Sequence, residues 1–97
     1  MKTRTIYSIN QGTARRQSDG TLTNYDLNKA FETSNKEEAL AKFEDVKTDT
    51  TGWVHDVVIT ELVECRFIFD EESEEWVEDE EFNYSGNNTL EYFECDK

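Results

Sequence analysis

The sequence predicts an α+β fold: a single domain (residues 1–97), with a mostly antiparallel β-sheet and one α-helix, about residues 35–47, packed on one face. Three observations predict it. One segment joins a helix cap to an apolar stripe at helical spacing. Several others alternate apolar and polar residues and are rich in β-formers. A chain of 97 residues is long enough for one modest core and too short for two ordinary domains.

The helix is the clearest element. Ser34-Asn35-Lys36-Glu37 fits a capping box, with Ser34 as the cap and a Glu three residues later. Ala39, Leu40, Phe43 and Val46 then form one stripe, with Lys36, Glu38, Lys42 and Glu44 largely elsewhere around it. Thr48-Asp49-Thr50-Thr51-Gly52 ends it with poor helix formers and a breaker.

The remaining segments read as strands. Thr5–Ile9 is short and rich in β-formers. Asp19-Gly20 signals a hairpin turn between arms Ala14–Gln17 and Thr21–Asp26, and Lys29–Thr33 leads toward the helix. The strongest strand runs from Val54 to about Phe69. Val57, Ile59, Val63, Cys65, Phe67 and Phe69 share one parity; Val58, Leu62 and Ile68 share the other, with Thr60, Glu64 and Arg66 between them. A strand this long exceeds the usual five or six residues, so a bend or bulge is expected near Glu61–Glu64. A hairpin turning at Glu71–Glu74 should follow, with its return strand over Glu75–Phe82 at a sheet edge. Leu90–Cys95 reads as a final strand. Trp53, Trp76, Phe31, Phe43, Phe67, Phe69, Phe82 and Phe93 are the core or interface candidates.

The charge is unevenly placed. The chain holds 23 acidic and 10 basic residues, a formal net charge of −13. Residues 1–50 balance at eight of each sign, so the whole excess lies in residues 51–97. Nine of the twelve residues from Asp70 to Glu81 are acidic, and no basic residue lies between Arg66 and Lys97. Neighbours along the chain therefore cannot neutralise this run, and like-charge repulsion weighs against compactness there.

Several function classes find no support. There is no apolar run of transmembrane length and no apolar region of a secretory signal at the N-terminus. The expected location is cytoplasmic, with Cys65 and Cys95 as free thiols. Asn83-Tyr84-Ser85 and Asn87-Asn88-Thr89 match the glycosylation sequon and read as chance matches in a polar loop. No phosphate-binding glycine loop or nucleophile elbow occurs. His55 is the sole histidine and reads as an ordinary strand-side residue. Cys65, between Val63 and Phe67, reads as core rather than nucleophile. Zinc needs four ligands from a set that here numbers three, far apart. A calcium loop starting at Asp70 places Glu75 where the turn needs glycine, which leaves weak Ca²⁺ binding as an alternative. No catalytic residue, metal or cofactor is expected. Direct nucleic-acid binding needs clustered Lys and Arg; Arg15-Arg16 is an isolated doublet.

A surface that repels nucleic acid attracts proteins that bind it. The expected partner-binding residues are Asp70, Glu71, Glu72, Glu74, Glu75, Trp76, Glu78, Asp79, Glu80, Glu81 and Phe82. On a strand, residues two apart share a face at about 6.6–6.8 Å, so the return arm would show carboxylates in a row, with Trp76 and Phe82 as anchors. In small size, strong acidity across residues 54–97, absence of a catalytic motif and one helix on a small sheet, the chain resembles phage-encoded inhibitors of host defence. These are the anti-CRISPR and anti-restriction proteins, several of which are DNA mimics. The resemblance implies inhibition of a basic nucleic-acid-binding protein such as a defence nuclease or surveillance complex, in the host-cell cytoplasm and with no membrane partner. The plain alternative is a small structural or interaction domain whose acidic hairpin is a solvated edge that blocks sheet aggregation. An exposed edge strand leaves a homodimer open beside the monomer.

Overall fold

A computed structural model describes residues 2–50 and 57–96. Trp53, Val54 and His55 lie outside the described residues, and with them the predicted start of the long strand and any approach of His55 to Cys65.

Five strands and two helices follow in the order β1 (Thr3–Arg16), β2 (Leu22–Thr33), α1 (Lys36–Thr48), β3 (Val57–Asp70), β4 (Glu75–Glu78), α2 (Glu80–Asn83) and β5 (Thr89–Asp96). All pairings are antiparallel. The sheet runs β2-β1-β3-β4, with β5 also on β3. Strand β3 is long enough to hold two neighbours end to end on its outer side. Phe67–Asp70 pair with β4, and Val57–Val63 pair with β5.

The single-domain α+β architecture and the helix agree with the sequence reading; the details correct it. The predicted strand Thr5–Ile9 and arm Ala14–Gln17 are one strand, β1. The arm Thr21–Asp26 and the segment Lys29–Thr33 are likewise one strand, β2. The Asp19-Gly20 turn joins them. Gly20 takes φ +91, and the Asp19 carboxylate accepts from the Thr21 amide at 3.0 Å and its hydroxyl at 2.7 Å. Helix α1 is capped one residue later than expected. Asn35 is extended (φ −101, ψ 114) and its side chain accepts from Glu38 N–H, so the Ser34–Glu37 box does not form. The register shift against β5 between Leu62 and Val63 places the extra residue, Leu90, on β5. Strand β3 itself pairs with β1 without a break, so the bulge expected near Glu61–Glu64 falls on the partner strand instead.

The helix packs Ala39 and Phe43 on Ile9 and Leu62, with Tyr7, Phe31, Val46 and Leu90 around them. Leu40, placed on the stripe by spacing, is 36% exposed. Gln11 fastens the helix end: its amide donates to Val46 C=O at 2.8 Å and to Thr60 Oγ1 at 3.0 Å. On the opposite face Ala14, Val57 and Ile59 pack with Leu22 and Leu27. The sheet curls into a half-barrel, and Gly12 permits the close approach of β2. A Cβ there would lie 1.8 Å from Asp26 C=O and 2.7 Å from Leu27 Cα, far inside contact distance. Of the eight aromatic core candidates, Phe43 is the one buried among the described residues.

The result is elongated. Its extents are 49 × 28 × 19 Å and its radius of gyration is 15.4 Å, against about 12.5 Å for a compact domain of this length. Fourteen residues of strand at about 3.3 Å each account for the long axis. Because β1 and β3 are antiparallel, the Asp19-Gly20 hairpin and the acidic hairpin stand at opposite ends.

Candidate interaction surface

Eleven of the fifteen acidic residues of the second half lie along one edge, outside β3. From 71 to 96 the chain holds eleven acidic residues and no basic one. This stretch forms the hairpin turn, β4, α2 and β5.

The turn orders itself locally. Asp70 Oδ1 accepts from Glu72 N–H and Oδ2 from the Ser73 hydroxyl, both at 3.1 Å, and Glu74 closes the turn with φ +57. Glu71, Glu72, Glu74 and Glu75 are exposed. In β4, Trp76 pairs with Phe69 and meets it edge-on, ring centroids 5.4 Å apart at 67°. Trp76 is 40% exposed, and Glu78 accepts from the Tyr84 hydroxyl at 3.0 Å.

The predicted strand Glu75–Phe82 does not continue past Glu78. Asp79 instead caps α2, its side chain accepting from Phe82 N–H. An Asp before two Glu residues is an N-cap with acids in the first turn, where helix-end N–H groups favour negative charge. Glu78 and Glu80 therefore do not stand in one strand row. Glu80 and Glu81 project from the helical turn, and Phe82 is half-buried.

The edge is joined to β3 where no strand covers it, at Glu64–Arg66. The Asn83 side-chain amide pairs with Arg66 as a strand backbone would. It accepts from Arg66 N–H at 2.8 Å and donates to Arg66 C=O at 3.0 Å, and Asp79 N–H donates to the same carbonyl at 2.9 Å. Next to it, Asn88 C=O accepts from Glu64 N–H at 2.8 Å, and its amide donates to Glu64 C=O at 2.9 Å. Asn83 and Asn88 thus continue the ladder across the gap between β4 and β5. Sequence reading left both in a polar loop; their interleaving with Gly86 and Ser85 gave no periodic signal.

Charge is offset both within a strand and across strands. The Arg66 guanidinium lies 3.7 Å from the Phe82 ring centroid and pairs with Glu64 at 3.0 Å. At the far end Arg16 pairs with Asp96 at 3.1 Å and Glu94 at 3.6 Å, which raises the Arg16 pKa through the Asp96 hydrogen bond first. Tyr92 donates to Glu94 at 2.8 Å; burial, then this bond, holds its phenol well above the ordinary range. The side chains of Glu71, Glu72, Glu74, Glu75, Glu80, Glu81 and Glu91 have no partner among the described residues. The sequence-predicted residues are therefore contiguous, and the edge extends beyond them through Glu91 toward Asp96.

Among the described residues, no three His, Cys, Asp or Glu side chains gather as metal ligands, and no helix is long and apolar enough to cross a membrane. Both cysteines are unbridged. Comparison of the chain with protein-family models, with curated proteins and with solved structures finds no match.

Proposed function

We propose that this chain is a binding module rather than an enzyme, and that its acidic edge engages a basic nucleic-acid-binding protein by standing in for a phosphate strand. The observation that carries this is the linear charge. Eleven carboxylates along a molecule 49 Å long come to about one per 4.5 Å; one strand of B-DNA carries one phosphate per roughly 3.4 Å. The unpartnered glutamates supply a field that steers a cationic groove toward the edge. Trp76 and Phe82 supply apolar area that charge alone does not. In its specific form the reading is that of the phage inhibitors: the partner is a defence nuclease or surveillance complex of the host cell, and occupancy of its nucleic-acid groove is the inhibition.

The test is displacement. Labelled duplex is bound to purified restriction and RNA-guided nucleases, and the protein is titrated in while anisotropy is read. The expected result is stoichiometric displacement from at least one of them, weakening with salt. Replacing Glu71, Glu72, Glu74, Glu75, Glu80 and Glu81 by Gln should abolish it. If no nuclease is displaced and the Gln variant merely self-associates, the edge serves as a charged guard against sheet extension.

A further inference from the structure

On the sheet face away from α1 lies an open trough of about 500 Å³, within the range of roughly 300–1,000 Å³ typical of small-molecule sites. Its floor is Ile6, Val63, Cys65 and Phe67, all half-buried. From Arg4 to Asn10 along β1 it runs about 20 Å, at roughly 3.3 Å per residue. Trp76 of β4 walls one side and β2 walls the other.

The rim charges are not equivalent. On the β2 side Lys29 and Glu32 are bound to each other at 2.8 Å. On the β4 side Glu78 is bound by the Tyr84 hydroxyl. Arg4 makes no ion pair or side-chain hydrogen bond among the described residues, in a chain with 23 acidic residues. It shares a row with Phe67 and Glu78. Glu78 thus stands two strand spacings away, about 9.6 Å, near the screening length at physiological salt. In the floor the Ser8 hydroxyl, on a residue 7% exposed, likewise has no partner among the described residues. An apolar channel with one free guanidinium at its mouth and one free hydroxyl within it is complementary to an elongated molecule with an apolar body and an anionic head.

We propose that this trough binds a small amphipathic organic anion, an acyl or aryl chain ending in a carboxylate, with the head on Arg4 and the body over Val63, Cys65 and Phe67. The site shares Trp76 and Glu78 with the acidic edge, but it opens on the sheet face away from α1 and does not depend on that edge's function.

Dodecanoate is the probe, with dodecyltrimethylammonium and dodecanol of equal chain length beside it, each titrated by calorimetry below its micelle concentration. Dodecanoate should bind saturably at one site and more tightly than either of the others. Arg4→Gln should weaken it about tenfold, the scale of one lost charge-assisted hydrogen bond. Glu78→Gln should tighten it about twofold, and Arg15→Gln should leave it unchanged. A second readout covers variants that fold poorly. Saturating dodecanoate should slow alkylation of Cys65, in the floor, and not that of Cys95, which pairs with Val58 on the helix-covered face. Absence of saturable binding overturns the proposal. So does tighter binding of the ammonium probe, indifference to Arg4→Gln, or unprotected Cys65.

Discussion

The two edges of the sheet solve the same problem by different means. Each presents backbone groups with no strand beyond them, which invites pairing with another chain. The β2 edge is nearly neutral, with Asp26, Lys29 and Glu32 its charged residues. It relies on shape: register breaks against β1 between Ile9 and Asn10 and between Thr13 and Arg15, with Asn24 at φ +57. The β4–α2–β5 edge relies on charge, and its gap is filled by Asn83 and Asn88 rather than left as a bulge. The difference teaches that the carboxylates are not a tail added to a finished fold. They are carried on a segment joined to β3 along its whole length.

The largest break in this comparison should come from Gly12, on the β2 side. Gly12→Val forces a Cβ into Asp26 C=O, so β2 must detach or shift. A loss of more than about 3 kcal/mol is expected, read by urea unfolding, and the acidic edge should be lost with it, since β1 supports β3.

On the acidic side the effects should be smaller and local. Asn88→Ala leaves Glu64 C=O without its amide donor at a position only 9% exposed, for a loss of about 1–2 kcal/mol. Amide exchange should speed at residues 64–66 and 79–83 and stay unchanged in β2. Uniform acceleration across the sheet would mean that the two edges are not separately held.

The alkaline limb of stability sharpens the comparison further. The Tyr92 phenol ionises less readily folded than unfolded, because of burial and the bond to Glu94. The folded state therefore binds that proton more tightly. Its contribution is complete below the ordinary value of 10.0 and is lost as pH rises beyond it. Between pH 9 and 12 the wild type should lose stability more steeply than Tyr92→Phe, as measured by urea midpoints.

The smallest effect is a gain. Replacing Glu71, Glu72, Glu74 and Glu75 by Gln relieves repulsion at the hairpin tip, where no cation forms an ion pair among the described residues. Melting temperature should rise slightly in 10 mM salt and not in 0.5 M, where screening acts within about 3–5 Å. The same exchange of Glu32 should give no such gain, because Lys29 already holds it.

Much of this was legible along the chain. The Asp19-Gly20 turn, the helix and the two parities of β3 each rest on local chemistry or a simple period. The continuity of β1 was not, since Asn10-Gln11-Gly12-Thr13 reads as a polar break. Those residues are explained only by what reaches them: Gln11 by the helix end, Gly12 by the backbone of β2. The return strand was predicted too long because alternation outweighed the cap at Asp79. The candidate site was legible as a hairpin at a sheet edge, but its full extent was not. Its extension past Phe82 depends on asparagine side chains acting as backbone, for which sequence spacing offers no sign. The trough was invisible because its residues come from β1, β2, β3 and β4, brought together by pairing alone.

The central claim is that the carboxylates are displayed from an ordered edge, and backbone ¹⁵N relaxation over residues 70–83 tests it most directly. Order parameters near 0.85, level with those of β3, are the predicted result; values below about 0.6 from Glu71 through Phe82 would contradict it.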